Sequence, residues 1–255
     1  MLRYRRRARG FSLVELAVVM AIVSLLLGGL LYTLSAQTEQ RNFDETRRRL
    51  EQARELLLGF AIVNGRLPCP ATAASAGDEA PADGATACTA GYAGWLPARR
   101  IGYQQTDSDG YAVDGWGNRI RYVVSITAWG TTPFARFTKQ HIPADPTASW
   151  LISTTPADLV ICGSAAGITG STCGTAASVT NQNVVVAIVF STGKNGAQAP
   201  CAGCIDELAN LDGNAVFVSH SQAPSSATNG EFDDQFTWIT VGELYGKLIA
   251  AGQLP

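Results

Sequence analysis

The longest apolar segment of the chain covers residues 16–34 and contains no charged side chain. Only Ser24, Tyr32 and Thr33 are polar within it. As an α-helix, nineteen residues span roughly 30 Å, which is the thickness of the hydrocarbon core of a bilayer. The pattern therefore predicts a membrane-crossing helix near the amino terminus.

The helical pattern continues beyond the apolar segment. Residues 35–64 contain no proline and consist mostly of good helix formers. Apolar residues recur there at spacings of three and four and form one stripe: Leu50, Ala53, Leu57, Phe60 and Ala61. Asn64-Gly65, followed by Pro68, predicts the end of the helix. We therefore expect one helix of about 50 residues, with its second half packed against a head.

Residues 65–255 show short runs of β-branched and aromatic residues between loops rich in Gly, Ala, Ser and Thr. These runs predict strands at 120–126, 158–161, 184–190, 215–219 and 236–241. The sequence Thr240-Val241-Gly242-Glu243 matches a capping box and predicts a short final helix. A long helix followed by an antiparallel sheet is an α+β fold.

The charged residues near the amino terminus predict how the helix is oriented in the membrane. Five arginines precede the apolar segment: Arg3, Arg5, Arg6, Arg7 and Arg9. Positive flanks stay in the cytoplasm, so the head is expected on the other side of the membrane. Glu15 stands at the edge of the apolar segment, where a carboxylate costs roughly 2–3 kcal/mol on insertion scales. It either lies in the membrane interface or needs a partner that appears when subunits assemble.

The junction between the arginines and the apolar segment reads Arg9-Gly10-Phe11-Ser12-Leu13-Val14-Glu15-Leu16. It resembles the processing site of type IV prepilins and pseudopilins. The resemblance implies that a prepilin peptidase cuts after Gly10 and methylates the new amino group of Phe11. It also implies that Glu15 pairs with the terminal amine of a neighbouring subunit, because an unpaired charge in a filament core is heavily penalised. An ordinary secretory signal fits less well, since its apolar core is shorter and precedes the cut.

The resemblance divides the chain into four parts and implies a type IV pilin-like fold. Residues 1–10 form a basic leader, and 11–34 the transmembrane and filament-core half of the helix. Residues 35–64 form its amphipathic half, and 65–255 a periplasmic β-rich head. Two head segments extend the resemblance, 114–122 to a motif of the major pseudopilins of type II secretion and 191–196 to a loop of these heads. The first predicts a glycine turn into a strand, with Trp116 packed over the helix.

Acidic clusters raise the question of calcium. Asp107, Asp109 and Asp114 offer oxygen ligands but lack the glutamate that an EF-hand loop requires. Type II secretion pseudopilins bind calcium in a late loop, so the resemblance makes a second cluster the better candidate: Glu231, Asp233 and Asp234. The alternative is a solvated acidic loop without a metal.

Six cysteines lie outside the membrane in the predicted topology, and an even number in an oxidising periplasm implies disulfides. Fifteen pairings are possible. We expect pairing between sequence neighbours, because each pair closes a loop rich in glycine or alanine: Cys69–Cys88, Cys162–Cys173 and Cys201–Cys204. The last pair could instead be redox-active, but no strong helical pattern follows Cys204 to lower a thiol pKa.

Composition excludes other classes of function. Loss of the leader would leave 14 Lys and Arg against 21 Asp and Glu, or about −7, which argues against binding to nucleic acid. The two histidines, His141 and His220, match no catalytic or zinc pattern, so we expect no enzyme.

The resemblance therefore implies a structural subunit, a minor pilin or pseudopilin, of a type IV pilus or related envelope filament that is inserted in the inner membrane. Its partners would be the prepilin peptidase, other pilin subunits, an inner-membrane assembly platform and the lipid bilayer. The alternatives are a type II secretion pseudopilin and a singly anchored periplasmic enzyme or redox protein.

Overall fold

The structure is a computed structural model that describes residues 12–82, 87–126, 137–138, 157–196 and 201–253. Its helices are α1 (Leu13–Asn64), α2 (Ala98–Ile101), α3 (Ile205–Ala209) and α4 (Val241–Ala250). Its strands are β1 (Arg121–Val124), β2 (Val160–Cys162), β3 (Val185–Ser191), β4 (Val216–Val218) and β5 (Gln235–Thr240). The chain forms two compact units, Met1–Asn42 and Phe43–Pro255.

Helix α1 confirms the predicted long helix, with 52 residues and an end at the predicted position. The Asn64 side chain donates to the carbonyl oxygen of Phe60 at 2.9 Å. Gly65 then takes a positive φ of 64°, which a residue without a Cβ adopts readily. The described part of the chain contains no helix with an apolar stretch long enough for a membrane crossing.

The main core of the second unit lies between α1 and a three-stranded antiparallel sheet of order β1-β3-β5. The predicted stripe of α1 is buried there: Leu50, Ala53, Leu57 and Ala61 are at most 2% exposed, and Phe60 packs at the margin. Tyr122 and Val189, which are paired across β1 and β3, belong to the same core. The helix is thus held against the sheet by the apolar face that its periodicity predicts.

A second apolar cluster lies on the other side of this sheet and includes Val123, Ile188, Phe190 and Phe217. Phe217 belongs to β4, which pairs with β2 in parallel, with Ile161 opposite Phe217. All five predicted strands are present, but the expectation of one antiparallel sheet is wrong for β2 and β4. Parallel pairing requires a long crossover, and β3 and α3 lie between these two strands in the chain.

Three disulfides close the loops of the second unit: Cys69–Cys88, Cys162–Cys173 and Cys201–Cys204. This connectivity agrees with the pairing between sequence neighbours. The predicted capping box is also present at α4, where the Thr240 hydroxyl accepts from the Glu243 N–H at 3.2 Å. The Glu243 side chain does not complete the box, because it pairs with Arg54 of α1 at 2.5 Å.

Candidate functional site

The start of α1 holds the last four residues of the processing motif, Leu13 to Leu16, and the charged residue among them is Glu15. The Ser12 hydroxyl accepts from the Val14 N–H at 3.2 Å, and the Ser12 carbonyl accepts from the Leu16 N–H at 3.1 Å. Glu15 therefore lies in the first turn, where the helix dipole favours a negative charge, and its side chain is exposed. Gly10 and Phe11, the predicted cleavage and methylation positions, lie outside the described residues.

The segment 114–122 forms a joint between α1 and the sheet. Trp116 packs edge-on against Phe43 of α1, with ring centroids 4.6 Å apart, which confirms its predicted place over the helix. Two further contacts reach the same helix: the Gly115 N–H donates to Thr46 Oγ1 at 2.9 Å, and Arg49 donates to the Asp114 carbonyl at 2.6 Å. These residues position the helix and are not arranged for chemistry.

The two head segments that carry the resemblance are bonded to each other. The buried Asp114 carboxylate accepts from the Asn118 N–H at 2.8 Å and from the Ser191 hydroxyl at 2.5 Å. The Asn118 side chain donates to the Gly193 carbonyl at 2.7 Å. These hydrogen bonds hold the loop at residues 191–196 against the turn at residues 114–118. The same loop also faces the acidic residues at 231–234.

Three buried carboxylates meet at that loop: Glu207, Asp233 and Asp234. One oxygen from each lies within 4.8 Å of the others, which suits the ligands of a single cation. Glu207 comes from the short helix α3, whereas Asp233 and Asp234 come just before β5. This is the only group of three such ligands in the described residues.

Surrounding amides hold the carboxylates in place. The Asn195 side chain donates to both oxygens of Glu207, at 3.1 and 3.0 Å. The Asn210 side chain donates to Asp234 at 2.7 Å, and the Lys194 N–H donates to Asp233 Oδ2 at 3.0 Å. None of these donors carries a charge at the bonding atom, so the negative charges of the cluster are not neutralised by these contacts.

The second carboxylate oxygen of Asp233 is buried in an unfavourable environment. Asp233 is 5% exposed, and its Oδ1 has no hydrogen-bond partner among the described residues. Gly193 lies so close that a Cβ there would overlap this carboxylate. Burial, together with the charge of Glu207, raises the pKa of Asp233 to about 7. A cation at this oxygen would relieve both the repulsion and the missing contact.

Burial also raises the pKa values of Glu207 and Asp234, the latter well above its ordinary value. The structure brings Glu207, and not the expected Glu231, together with Asp233 and Asp234, and metal binding by these residues stays a prediction. Glu231 is half-buried nearby, and its charge contributes to the raised pKa values of Glu207 and Asp233. The signal that identifies Glu207 is the pair Asp206-Glu207 after Cys204, in the first turn of a helix that the sequence did not predict.

The other candidate residues have structural partners. Arg119 bridges Asp107 and Asp109, at 2.6 Å from each, so both carboxylates already have a cationic partner. His220 lies 3.1 Å from Asp206 and stacks on Phe232, which makes it a satisfied loop residue; His141 lies outside the described residues. Cys201 is exposed and bonded to the buried Cys204.

Comparison with known families gives one match. The prokaryotic N-terminal methylation motif matches residues 5–31, the segment that contains Gly10, Phe11 and Glu15. No curated protein and no solved structure matches the chain.

Proposed function

We propose that this chain is a structural filament subunit, a minor pilin or pseudopilin. The premise is that it carries the N-terminal methylation motif of type IV pilins and pseudopilins. The observation that carries the proposal is the match over residues 5–31. In this role the leader is removed after Gly10, and Phe11 becomes the methylated first residue. The protein has no catalytic role in this proposal.

The apolar segment and the exposed Glu15 define the assembly step. The five leader arginines and the uncharged residues 16–34 support a single pass through the inner membrane with the head in the periplasm. Glu15 stands in the first turn of α1, four residues after Phe11 in the sequence. Its carboxylate would pair with the terminal amine of a neighbouring subunit and fix the register of the filament.

The size of the head favours a minor subunit. Residues 65–255 contain several loops, three of them closed by disulfides, and within the described part of this range three strands form the antiparallel sheet. Such a head suits a sparse or terminal position. A type II secretion pseudopilin is the alternative within the class, and deletion separates them: loss of pili supports the first, and retention of secreted proteins in the periplasm supports the second.

Intact mass of the membrane-extracted protein tests the processing step. Cells with a prepilin peptidase should yield a chain that begins at methylated Phe11 with all six cysteines oxidised. Cells without the peptidase, or with Gly10→Val, should yield the full chain. A full-length chain in the presence of active peptidase would contradict the proposal and favour an anchored enzyme or redox protein.

Glu15→Ala tests the assembly step separately. We expect normal cleavage but loss of incorporation into filaments, because the terminal amine loses its partner. Glu55→Ala provides the control, since Glu55 is an exposed carboxylate of the same helix. Incorporation of Glu15→Ala at the level of the control would refute the role of Glu15.

We also propose that Glu207, Asp233 and Asp234 bind a divalent cation, and calcium is the first candidate because its ligands are oxygens in flexible geometry. The buried Oδ1 of Asp233, which has no hydrogen-bond partner in the part of the chain that the structure describes, supports this proposal. Calcium should raise the melting temperature of the full chain, and Asp233→Asn should abolish the increase. Asp212→Asn, at an exposed carboxylate, should leave it unchanged. Equal responses of the two variants would exclude the site.

A further inference from the structure

A second site is indicated by Arg121, the first residue of β1. Tyr122 and Val124 face the core under α1, so Arg121 and Val123 lie on the other side of the sheet. The Arg121 side chain there lines a small, shallow cleft with about 20 Å³ of enclosed space. The cleft also includes Tyr92, Gly94, Phe190, Asn210 and Leu211.

The Arg121 guanidinium has no anionic partner in the part of the chain that the structure describes. It lies over the Trp95 ring, 4.9 Å from the centroid, and no side-chain or carbonyl oxygen there accepts a hydrogen bond from it. Burial lowers the pKa of Arg121, which shows the cost of keeping this charge in place. By contrast, the buried Arg66 forms two 2.7 Å bonds with Glu79.

The other polar side chains of the cleft are already engaged. The Tyr92 hydroxyl donates to Asp158 Oδ2. The Asn210 amide donates to Val218 O and Asp234, and its oxygen accepts from the Val218 N–H at 2.7 Å. Phe190 and Leu211 add apolar walls. Among the described residues that line the cleft, the Arg121 guanidinium is therefore the group left to donate hydrogen bonds to a ligand. The walls around it are apolar.

We propose that this cleft binds a carboxylate, with the Arg121 guanidinium as its receptor. A planar guanidinium matches a carboxylate with two parallel hydrogen bonds, and the stacked Trp95 ring fixes its plane. The enclosed space of about 20 Å³ admits only a group of a few atoms, so the carboxylate of a short-chain acid or of an Asp or Glu side chain would reach Arg121 while the rest of the ligand stays outside the cleft. The site goes beyond the filament role and does not depend on it.

Fluorine NMR of the full chain labelled with 5-fluorotryptophan tests the proposal. Of the five tryptophan signals, Trp95 is assigned by Trp95→Phe, and sodium propionate is titrated at constant ionic strength. We expect a saturable shift of the Trp95 signal alone. Arg121→Gln should weaken the apparent affinity at least tenfold, whereas Arg99→Gln, which removes an exposed arginine of the same unit, should leave it unchanged.

Two results would overturn the proposal. One is a Trp95 shift that does not saturate or that is the same in Arg121→Gln. The other is a stronger response to inorganic phosphate than to propionate. Arg121→Lys keeps the charge but lacks the fork, so an affinity close to that of the unchanged chain would also contradict bidentate binding. The four remaining tryptophan signals report whether each variant is folded.

The same spectra distinguish the sources of the carboxylate. If it belongs to a second copy of the chain, the Trp95 signal should move with protein concentration, and Arg121→Gln should remove this dependence. If it belongs to a free acid, the signal should be independent of protein concentration and respond only to propionate.

Discussion

Two buried carboxylates show how neighbours decide the role of a residue. Glu79 accepts two bonds from Arg66, one from Arg100 and one from the Cys69 N–H, all between 2.7 and 3.0 Å. Asp233 has only uncharged donors, and one of its oxygens has no partner among the described residues. Glu79 is therefore a structural residue, whereas Asp233 can still bind a ligand through its Oδ1.

The pH dependence of stability should reflect Asp233. Its pKa rises from 3.8 to about 7 in the folded chain, so the folded state holds this proton more tightly than the unfolded state. In chelator, the free energy of unfolding should fall as pH rises between these two values. Melting temperatures measured across this range should show a smaller slope for Asp233→Asn, although Glu207 and Asp234 still contribute. Equal slopes would contradict the assignment.

Removal of Glu79 should be far more costly than removal of a surface carboxylate. Glu79→Ala leaves the buried Arg66 guanidinium without its partner, which typically costs about 3–5 kcal/mol. Glu55→Ala removes an exposed partner of Arg54 and should cost less than about 1 kcal/mol. Urea denaturation of both variants measures the difference. A loss for Glu79→Ala as small as that for Glu55→Ala would show that water reaches Arg66.

At the scale of elements, local sequence patterns predict where the helices and strands lie. Tertiary packing decides which of these elements contact each other. The end of α1 follows from Asn64-Gly65, and its buried stripe follows from residue spacing. The pairing of β2 with β4 was not visible, because a short apolar run carries no information on the direction of its neighbour. Helix α3 was also missed, since five residues are too few to show a period.

The start of α4 offers a test of a single local signal. Thr240→Ala removes the acceptor for the Glu243 N–H and should destabilise the protein by about 1 kcal/mol. Thr240→Ser keeps a hydroxyl and should restore most of the loss. Thermal denaturation compares them. If both variants lost the same stability, the effect would come from the methyl group in the strand and not from the cap.

At the scale of the whole molecule, disulfides hold long irregular segments onto a small sheet. Cys69–Cys88 and Cys162–Cys173 join residues 19 and 11 positions apart, whereas Cys201–Cys204 spans three. The first two constrain the unfolded chain far more than the third. They therefore stabilise the folded head mainly by restricting the unfolded chain.

The loss of stability on removal of a disulfide should increase with the length of the loop that the disulfide closes. Cys69→Ser with Cys88→Ser should lower the free energy of unfolding by roughly 2–4 kcal/mol. Cys201→Ser with Cys204→Ser should lower it by less, because so short a loop restricts few conformations. Denaturant titrations of the two double variants give the comparison. A larger loss for the second pair would mean that Cys201–Cys204 holds α3 and Glu207 in their folded positions.

The sequence alone determined the long helix, its buried stripe, the places of the strands and the cysteine partners, because these depend on spacing and on short loops. It also determined the processing motif, which is a contiguous run of residues. Only the tertiary structure joined Glu207 to Asp233 and Asp234, and placed Arg121 in a cleft where no described residue serves as its counter-ion. Both sites are formed by residues far apart in the chain, and whether a buried charge finds a partner depends on the packing of every element around it.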